Sequence, residues 1–201
     1  MNTPNKLTVA RMIATPIFMA TMLIDFPYHY AVSLVLFIAA SLTDMIDGKM
    51  ARKYNLVTDF GKFLDPLADK MLTTSAYLGF MYIYAMSDGA KNTSLGIQMT
   101  VILFIVLFRE FMVSSLRLVT VSSGGKVVAA NIWGKLKTVS QMAGIILALF
   151  AYVLIGDFSI EALSPVFDII IMVLFWISAV LCIISGAIYL WGCKDCIDPT
   201  K

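Results

Sequence analysis

The sequence has few charged residues for its length. Only 14% of its 201 residues are charged, whereas 60% are hydrophobic and the mean hydropathy is +0.87. A soluble domain carries about a quarter charged residues. This composition therefore excludes an ordinary soluble domain and predicts a protein embedded in a lipid bilayer.

Histidine and cysteine are also scarce. His29 is the single histidine, and the three cysteines, Cys182, Cys193 and Cys196, cannot all pair with one another. The Cys193-x-x-Cys196 spacing has neither a second cysteine pair nor a nearby histidine, as a zinc site would need. The sequence therefore indicates reduced cysteines and leaves oxygen ligands as the only set suited to a metal.

Some sequence features of other protein classes are absent. Residues 1–12 contain no short apolar core that ends in a small-residue cleavage site, so we expect the first hydrophobic segment to be retained. The chain shows no internal repeat, no low-complexity tract and no separate polar domain. We predict one transmembrane domain over residues 1–201.

Six apolar segments are long enough to cross a bilayer. A helix needs roughly 20 apolar residues to span the hydrocarbon core, and polar or Gly/Pro residues bound each segment. The predicted fold class is therefore an all-α membrane protein with six transmembrane helices. The spans are predicted near residues 8–25, 29–48, 62–86, 96–121, 132–155 and 166–191.

Lysine and arginine predict the orientation of these spans, because cytoplasmic loops retain the positive charge. Lys91 is the only one of the 15 basic residues predicted on the opposite side. Both termini and residues 44–69 are therefore predicted to face the cytoplasm. Residues 1–12, with Asn5, Lys6 and Arg11 on one polar side, predict an N-terminal interfacial helix. An ordinary polar lead-in to the first span fits the same pattern.

Four aspartates lie where the second predicted span ends and the third begins. Asp44 and Asp47 are three residues apart and Asp65 and Asp69 are four apart, so each pair shares one face of its helix. Such a cluster repels itself at a membrane boundary unless it is paired, protonated or metal-bound. Oxygen-only ligands suit Mg²⁺ or Mn²⁺.

Small residues accompany the aspartates. Gly48, Ala51 and Gly61 remove side-chain bulk where a ligand can approach the helix backbone. Arg52 adds a cation suited to a phosphate or to an aspartate. These residues predict a nucleotide-binding surface beside the carboxylates.

Together these residues form a set with fixed spacing. Its members are Asp44, Asp47, Gly48, Ala51, Arg52, Gly61, Asp65 and Asp69. The set resembles the complete signature of the CDP-alcohol phosphotransferase family. Six spans with a cytoplasmic site are also similar to that family, so the resemblance extends over the whole chain.

The resemblance implies a mechanism and partners. Asp44, Asp47 and Asp65 would ligate two divalent metal ions, Mg²⁺ or Mn²⁺, and Asp69 would be the base and a further metal ligand. The donor would be CDP-diacylglycerol, whose phosphatidyl group passes to an acceptor hydroxyl with release of CMP. Membrane lipid and a second copy of the chain, in a homodimer, are the other partners implied; no nucleic acid is expected.

Four cations near the inner ends of the fourth and fifth spans predict the acceptor site. They are Arg109, Arg117, Lys135 and Lys137. Arg109 lies within an apolar run, where a charged side chain is costly and usually functional. Such a group can hold the phosphate of a phosphorylated acceptor.

Secondary motifs resemble the glycerophosphate-using branch of the family. One runs from Arg109 to Gln141, and the other comprises Pro4, Asn5, Leu7, Thr8 and Arg11. They imply glycerol 3-phosphate as the acceptor. A sister enzyme that uses inositol phosphate, which also needs a basic pocket, stays open as an alternative.

A cation transporter is the alternative from another class, because intramembrane carboxylates can form an ion path. A transporter, however, predicts charges near the bilayer midplane and often an internal duplication. Here the carboxylates cluster at one membrane face without a repeat, which favours the enzyme.

Overall fold

The computed structural model describes residues 2–54, 58–86, 90–122 and 132–193, and these residues are almost entirely helical. Six α-helices occur within those ranges: Thr3–Leu23 (α1), His29–Lys53 (α2), Asp59–Met86 (α3), Ala90–Ser122 (α4), Ile132–Tyr152 (α5) and Ser164–Gly192 (α6). A π-helix, Val153–Asp157, and a short 3-10 helix, Glu161–Leu163, connect α5 to α6. No β-strand occurs in these ranges, so the all-α prediction is confirmed.

Four helical segments are long and apolar enough to cross a membrane. They are Thr3–Leu23, Thr93–Thr120, Ile132–Asp157 and Ser164–Gly192. The apolar part of α2, His29–Asp44, is shorter, and the first half of α3 carries charged residues that include Asp65, Asp69 and Lys70. The chain is therefore an integral membrane protein, while the number of spans stays a prediction.

The helices pack as a closed ring in the order α1, α2, α5, α6, α4, α3. The ring closes because α1 packs against both α2 and α3. Fully buried aromatic and aliphatic side chains fill its centre, among them Phe37, Leu72, Phe80, Leu149 and Phe175. Phe80 and Phe175 meet with ring centroids 5.6 Å apart, which ties α3 to α6 across the core.

The N-terminal residues differ from the predicted interfacial helix. They belong to the single helix α1, with Pro4 in its first turn, where the missing proline N–H has no helical acceptor to lose. Asn5, Thr8 and Arg11 are buried against neighbouring helices, so they do not face lipid headgroups. The physical reason is that all three polar side chains find partners within the protein. Arg11 pairs with Asp44 of α2, Thr8 with Asp65 of α3, and Asn5 with Thr58 just before α3.

At the other end of the bundle, the π-helix holds the beginning of α2. The Asp157 carboxylate accepts a hydrogen bond from the Ala31 backbone N–H at 2.7 Å, which satisfies one of the unpaired donors at that helix terminus. Gly156 is required beside it, because a Cβ there would lie 2.5 Å from the Tyr30 ring. This end contains none of the predicted site residues.

Candidate functional site

The carboxylates that the sequence predicted as metal ligands converge at one end of the bundle. Asp44 lies in the second half of α2, and Asp65 and Asp69 lie in the first half of α3. Because α1 packs against both helices, it contacts both sets of carboxylates. The charges of Asp44 and Asp69 are close enough to interact. The Asp47 side chain lies outside those that the structure describes.

Helix α1 orients two of these carboxylates. The Arg11 guanidinium forms an ion pair with Oδ1 of Asp44, and the Arg11 side chain has no exposed surface. The Thr8 hydroxyl donates a hydrogen bond to Oδ1 of Asp65 at 2.7 Å. Carboxylates that bind a metal are commonly held by such outer contacts. Helix α1 therefore supplies the supporting residues of the carboxylate site.

The chemistry of the carboxylates fits a hard divalent cation, since all their donors are oxygens. Among the side chains that the structure describes, no three His, Cys, Asp or Glu residues form a group close enough to hold a metal ion. Asp47, which the sequence predicted as the fourth ligand, is outside that set. The described carboxylates are therefore suitable in kind for such an ion, and the predicted ligand set also includes Asp47.

The predicted nucleotide-binding residues are described only in part. Gly48 is half-buried in α2, whereas the side chains of Ala51 and Arg52 lie outside the described set. Gly61 is buried at the beginning of α3, where a Cβ would lie 2.9 Å from the Asn5 side-chain oxygen. Glycine at position 61 thus permits the close approach of α1, in addition to any space it provides for a ligand.

A cavity of about 600 Å³ opens beside Asp69 among α3, α4, α5 and α6. All four cations that the sequence predicted for the acceptor phosphate line it, together with Asp69: Arg109, Arg117, Lys135 and Lys137. Arg109 and Lys137 are separated by 28 positions in the sequence. They come together because α6 packs against both α4 and α5. The structure therefore places a carboxylate and a basic cluster around one open cavity.

A second cavity, of about 550 Å³, lies between α3 and α4. The two cavities share a wall, because both are lined by Asp69, Arg109, Glu110, Val113 and Arg117. Lys70 lines only the second cavity, where its ammonium donates a hydrogen bond to the Ser114 hydroxyl. Asp69 is consequently accessible from two directions.

Glu110 links cations from three helices. Its Oε1 atom forms ion pairs with Lys137 of α5 and with Nη1 of Arg109 at 3.0 Å. Its Oε2 atom lies 3.9 Å from the Lys70 ammonium of α3. These cations would repel one another at such short range without a shared negative charge. Glu110 therefore holds Arg109, Lys137 and Lys70 near one another.

The Arg109 side chain is held by α6. Its Nε atom donates a hydrogen bond to the Ser185 hydroxyl at 3.2 Å. Its aliphatic stem packs over Gly186, where a Cβ would lie 3.3 Å from Arg109 Cγ. A small residue at position 186 and a hydroxyl at position 185 together direct the guanidinium toward the cavity.

Sequence reasoning did not include Thr8, Arg11, Glu110 or Ser185 among the site residues. Thr8 and Arg11 carried such a signal, because they lie three positions apart on the polar side of an otherwise apolar helix. A carboxylate next to an arginine within an apolar run was the corresponding signal for Glu110. Nothing local distinguished Ser185.

We expect Glu110→Gln to lower stability by about 1–3 kcal/mol, the range for losing charge-assisted contacts in a buried setting. Added inorganic phosphate should restore more stability to the variant than to the wild type, because an anion replaces the missing negative charge. Thermal unfolding of the detergent-solubilised protein, with and without phosphate, measures both effects.

Asp157→Asn is the matched control for this experiment. It removes a carboxylate that binds backbone N–H groups at the opposite end of the bundle. It should also lower the melting temperature, but phosphate should not restore that loss. Equal rescue of both variants would show that phosphate acts elsewhere than at the Glu110 cluster.

Comparisons with known proteins agree over most of the chain. A sequence model of the family described as CDP-alcohol phosphatidyltransferase matches residues 1–187. The chain is 39% identical over 198 residues to a CDP-diacylglycerol–glycerol-3-phosphate 3-phosphatidyltransferase of Bacillus subtilis (strain 168), covering 92% of this chain and 91% of that one. An enzyme with the same name from Rickettsia bellii (strain RML369-C) is 36% identical over 197 residues, covering 96% of each chain. A probable phosphatidylglycerophosphate synthase of Mycobacterium tuberculosis is 34% identical over 164 residues, covering 80% of this chain and 71% of that one.

Proposed function

Because the chain belongs to the CDP-alcohol phosphatidyltransferase family, we propose that it transfers the phosphatidyl group of CDP-diacylglycerol to glycerol 3-phosphate. The products are phosphatidylglycerophosphate and CMP. The names of the Bacillus subtilis and Rickettsia bellii relatives support this choice of donor and acceptor. On this basis the protein is a phosphatidylglycerophosphate synthase.

The cavity beside Asp69 is the observation that carries the proposal. A phosphorylated acceptor needs cations for its phosphate and a base for its hydroxyl, and both are present around this one volume. Arginine can bind a phosphate through two parallel hydrogen bonds, and lysine adds a point charge. We assign Arg109, Arg117, Lys135 and Lys137 to the acceptor phosphate.

Asp69 is proposed as the base. Its place on the wall that separates the two cavities suits a residue that meets acceptor and donor at once. The acceptor hydroxyl oxygen would attack the phosphorus that carries the diacylglycerol, and its proton would pass to the Asp69 carboxylate. The bond from that phosphorus to the bridging oxygen breaks, and CMP leaves with the bond's electron pair.

Asp44, Asp47, Asp65 and Asp69 are proposed to hold two divalent ions, Mg²⁺ or Mn²⁺, with Arg11 and Thr8 orienting Asp44 and Asp65. Bound ions would neutralise the donor diphosphate and stabilise charge on the leaving phosphate. The cytidine nucleotide is proposed to bind against Gly48, Ala51, Arg52 and Gly61. The acyl chains of the donor would then stay in the surrounding lipid.

The proposal also covers membrane topology, localisation and oligomeric state. All six helices are proposed to cross the membrane in one domain over residues 1–201, with both termini on the cytoplasmic side. The site end then faces the cytoplasm, where the positive-inside rule puts the basic residues. A bacterial-type cytoplasmic membrane and a homodimer are proposed from the family resemblance.

A comparison of acceptors tests the proposed function. The purified protein is given CDP-diacylglycerol and Mg²⁺ with glycerol 3-phosphate, inositol phosphate or serine, and CMP release is measured. We expect rapid release only with glycerol 3-phosphate, because the four cations need a phosphate and serine has none. CMP release with inositol phosphate alone would identify the protein as the sister enzyme that uses inositol phosphate. No CMP release with any acceptor would contradict the proposed enzymatic activity.

A further inference from the structure

Tyr189 of α6 has a buried hydroxyl that finds no hydrogen-bond partner among the residues that the structure describes. The residue is only 9% exposed, and its side chain lines the cavity beside Asp69. Its packing neighbours, Val113, Cys193, Met112 and Leu116, are apolar or weakly polar. The part of the chain that the structure describes therefore gives this hydroxyl no hydrogen-bond partner.

Other buried tyrosines in the described part of the chain are satisfied. The Tyr77 hydroxyl lies 2.9 Å from the Ser178 hydroxyl, and the Tyr84 hydroxyl donates to Asp168 at 3.4 Å. Buried hydroxyl groups normally find such partners, since leaving one unpaired costs free energy. Phenylalanine at position 189 would avoid that cost. The tyrosine is explained if its partner arrives with a ligand.

The location of Tyr189 indicates which part of a ligand it meets. It lies four residues after Ser185, on the same face of α6, and Ser185 holds the Nε atom of Arg109. Tyr189, Ser185 and Arg109 therefore belong to one wall of the cavity. A phosphate held by the Arg109 guanidinium would lie against that wall.

We propose that the Tyr189 hydroxyl donates a hydrogen bond to the phosphate of the acceptor and thereby contributes to selection of a phosphorylated acceptor. This inference rests on the proposed function, because it takes glycerol 3-phosphate as the ligand of the cavity. A phosphate oxygen is a strong acceptor, so the bond is charge-assisted. The hydroxyl, which has no partner among the described residues, gains one when the acceptor binds.

Tyr189→Phe tests the proposal because its effects on the free protein and on binding have opposite signs. Without ligand, the variant should be as stable as the wild type or more stable, since it loses an unpaired hydroxyl. With ligand, KM for glycerol 3-phosphate should rise by about 10-fold to 100-fold, the range for a hydrogen bond to a charged group. KM for CDP-diacylglycerol and kcat at saturating acceptor should not change.

Tyr77→Phe is the matched control. It removes a hydroxyl that already has a partner, in the bundle core away from the cavity. It should lower the melting temperature without changing KM for glycerol 3-phosphate. If Tyr189→Phe behaves like Tyr77→Phe, with a lower melting temperature and an unchanged KM, the proposal is overturned.

A second measurement separates this proposal from the proposed function. Inorganic phosphate at increasing concentration should raise the melting temperature of the wild type more than that of Tyr189→Phe, and this readout needs no turnover. Equal shifts in the two proteins would overturn the role of Tyr189. Absence of CMP release from the wild type with glycerol 3-phosphate would instead overturn the proposed function, whatever the phosphate shifts are.

Discussion

Asp69→Asn is expected to lower CMP release by about 10²-fold to 10⁴-fold, the contribution of a positioned general base. Asparagine has nearly the same shape, but its amide cannot accept the proton of the acceptor hydroxyl. Asp69 and Glu110 both line the two cavities, but Glu110 forms ion pairs with Arg109 and Lys137, so Asp69 is the better placed of the two to accept a proton. Initial rates with saturating CDP-diacylglycerol and glycerol 3-phosphate measure the effect.

Asp25→Asn serves as the control for that substitution. The Asp25 side chain is fully exposed, and its Oδ1 atom lies 3.8 Å from Nε2 of His29 at the opposite end of the bundle. It undergoes the same chemical change without touching the cavity, so its rate should equal that of the wild type. The melting temperatures of both variants should show folded protein. Near-normal turnover in Asp69→Asn would remove Asp69 from the role of base.

The second large effect is expected for Arg11→Met, which should lower stability by about 3 kcal/mol. Breaking a buried ion pair costs about 3–5 kcal/mol because the remaining charge loses its partner. The lower end applies here because the Asp44 side chain is 43% exposed and water can solvate part of its charge. Methionine fills much of the same volume, so the loss reports the charge and its hydrogen bonds. Thermal or denaturant unfolding in detergent measures it.

Activity should fall together with stability in Arg11→Met, because Asp44 is then no longer oriented. Two further variants at the same helix separate these effects. Arg11→Lys keeps the charge but lacks the planar guanidinium, so its loss should be intermediate. Thr8→Val removes one hydrogen bond to Asp65 and should cost about 1 kcal/mol. A melting temperature of Arg11→Met equal to that of the wild type would show that α1 does not brace the carboxylates.

The Glu110 cluster illustrates how the acceptor site depends on packing. Glu110 and Arg109 are neighbours in the sequence, but Lys137 is 27 positions away and Lys70 is 40 positions away. Their mutual charges determine how much positive potential remains for a phosphate. The number of cations in the segment therefore overstates the charge that a ligand meets, since Glu110 neutralises part of it.

The sequence by itself determined the features that depend on local pattern. Length and hydropathy predicted six apolar segments, and each overlaps one of the six described helices. Four of these helical segments are long and apolar enough to cross a membrane. The fixed spacing of Asp44, Asp65 and Asp69 placed them on helix faces at one end of the bundle. The four cations of the acceptor cluster were also visible as charges in an otherwise apolar region.

Only the tertiary structure decided which side chains meet. The sequence pattern of α1 is the same whether its polar side faces lipid headgroups or neighbouring helices. In the structure, α1 packs between α2 and α3, so its polar side faces helices. Tyr189 could not be distinguished from any other tyrosine near a helix end until its hydroxyl was found enclosed and unpaired. The hydropathy of a segment depends only on its own residues, so the sequence predicts it. Ion pairs and hydrogen bonds need two partners, and only the fold determines the distance between them.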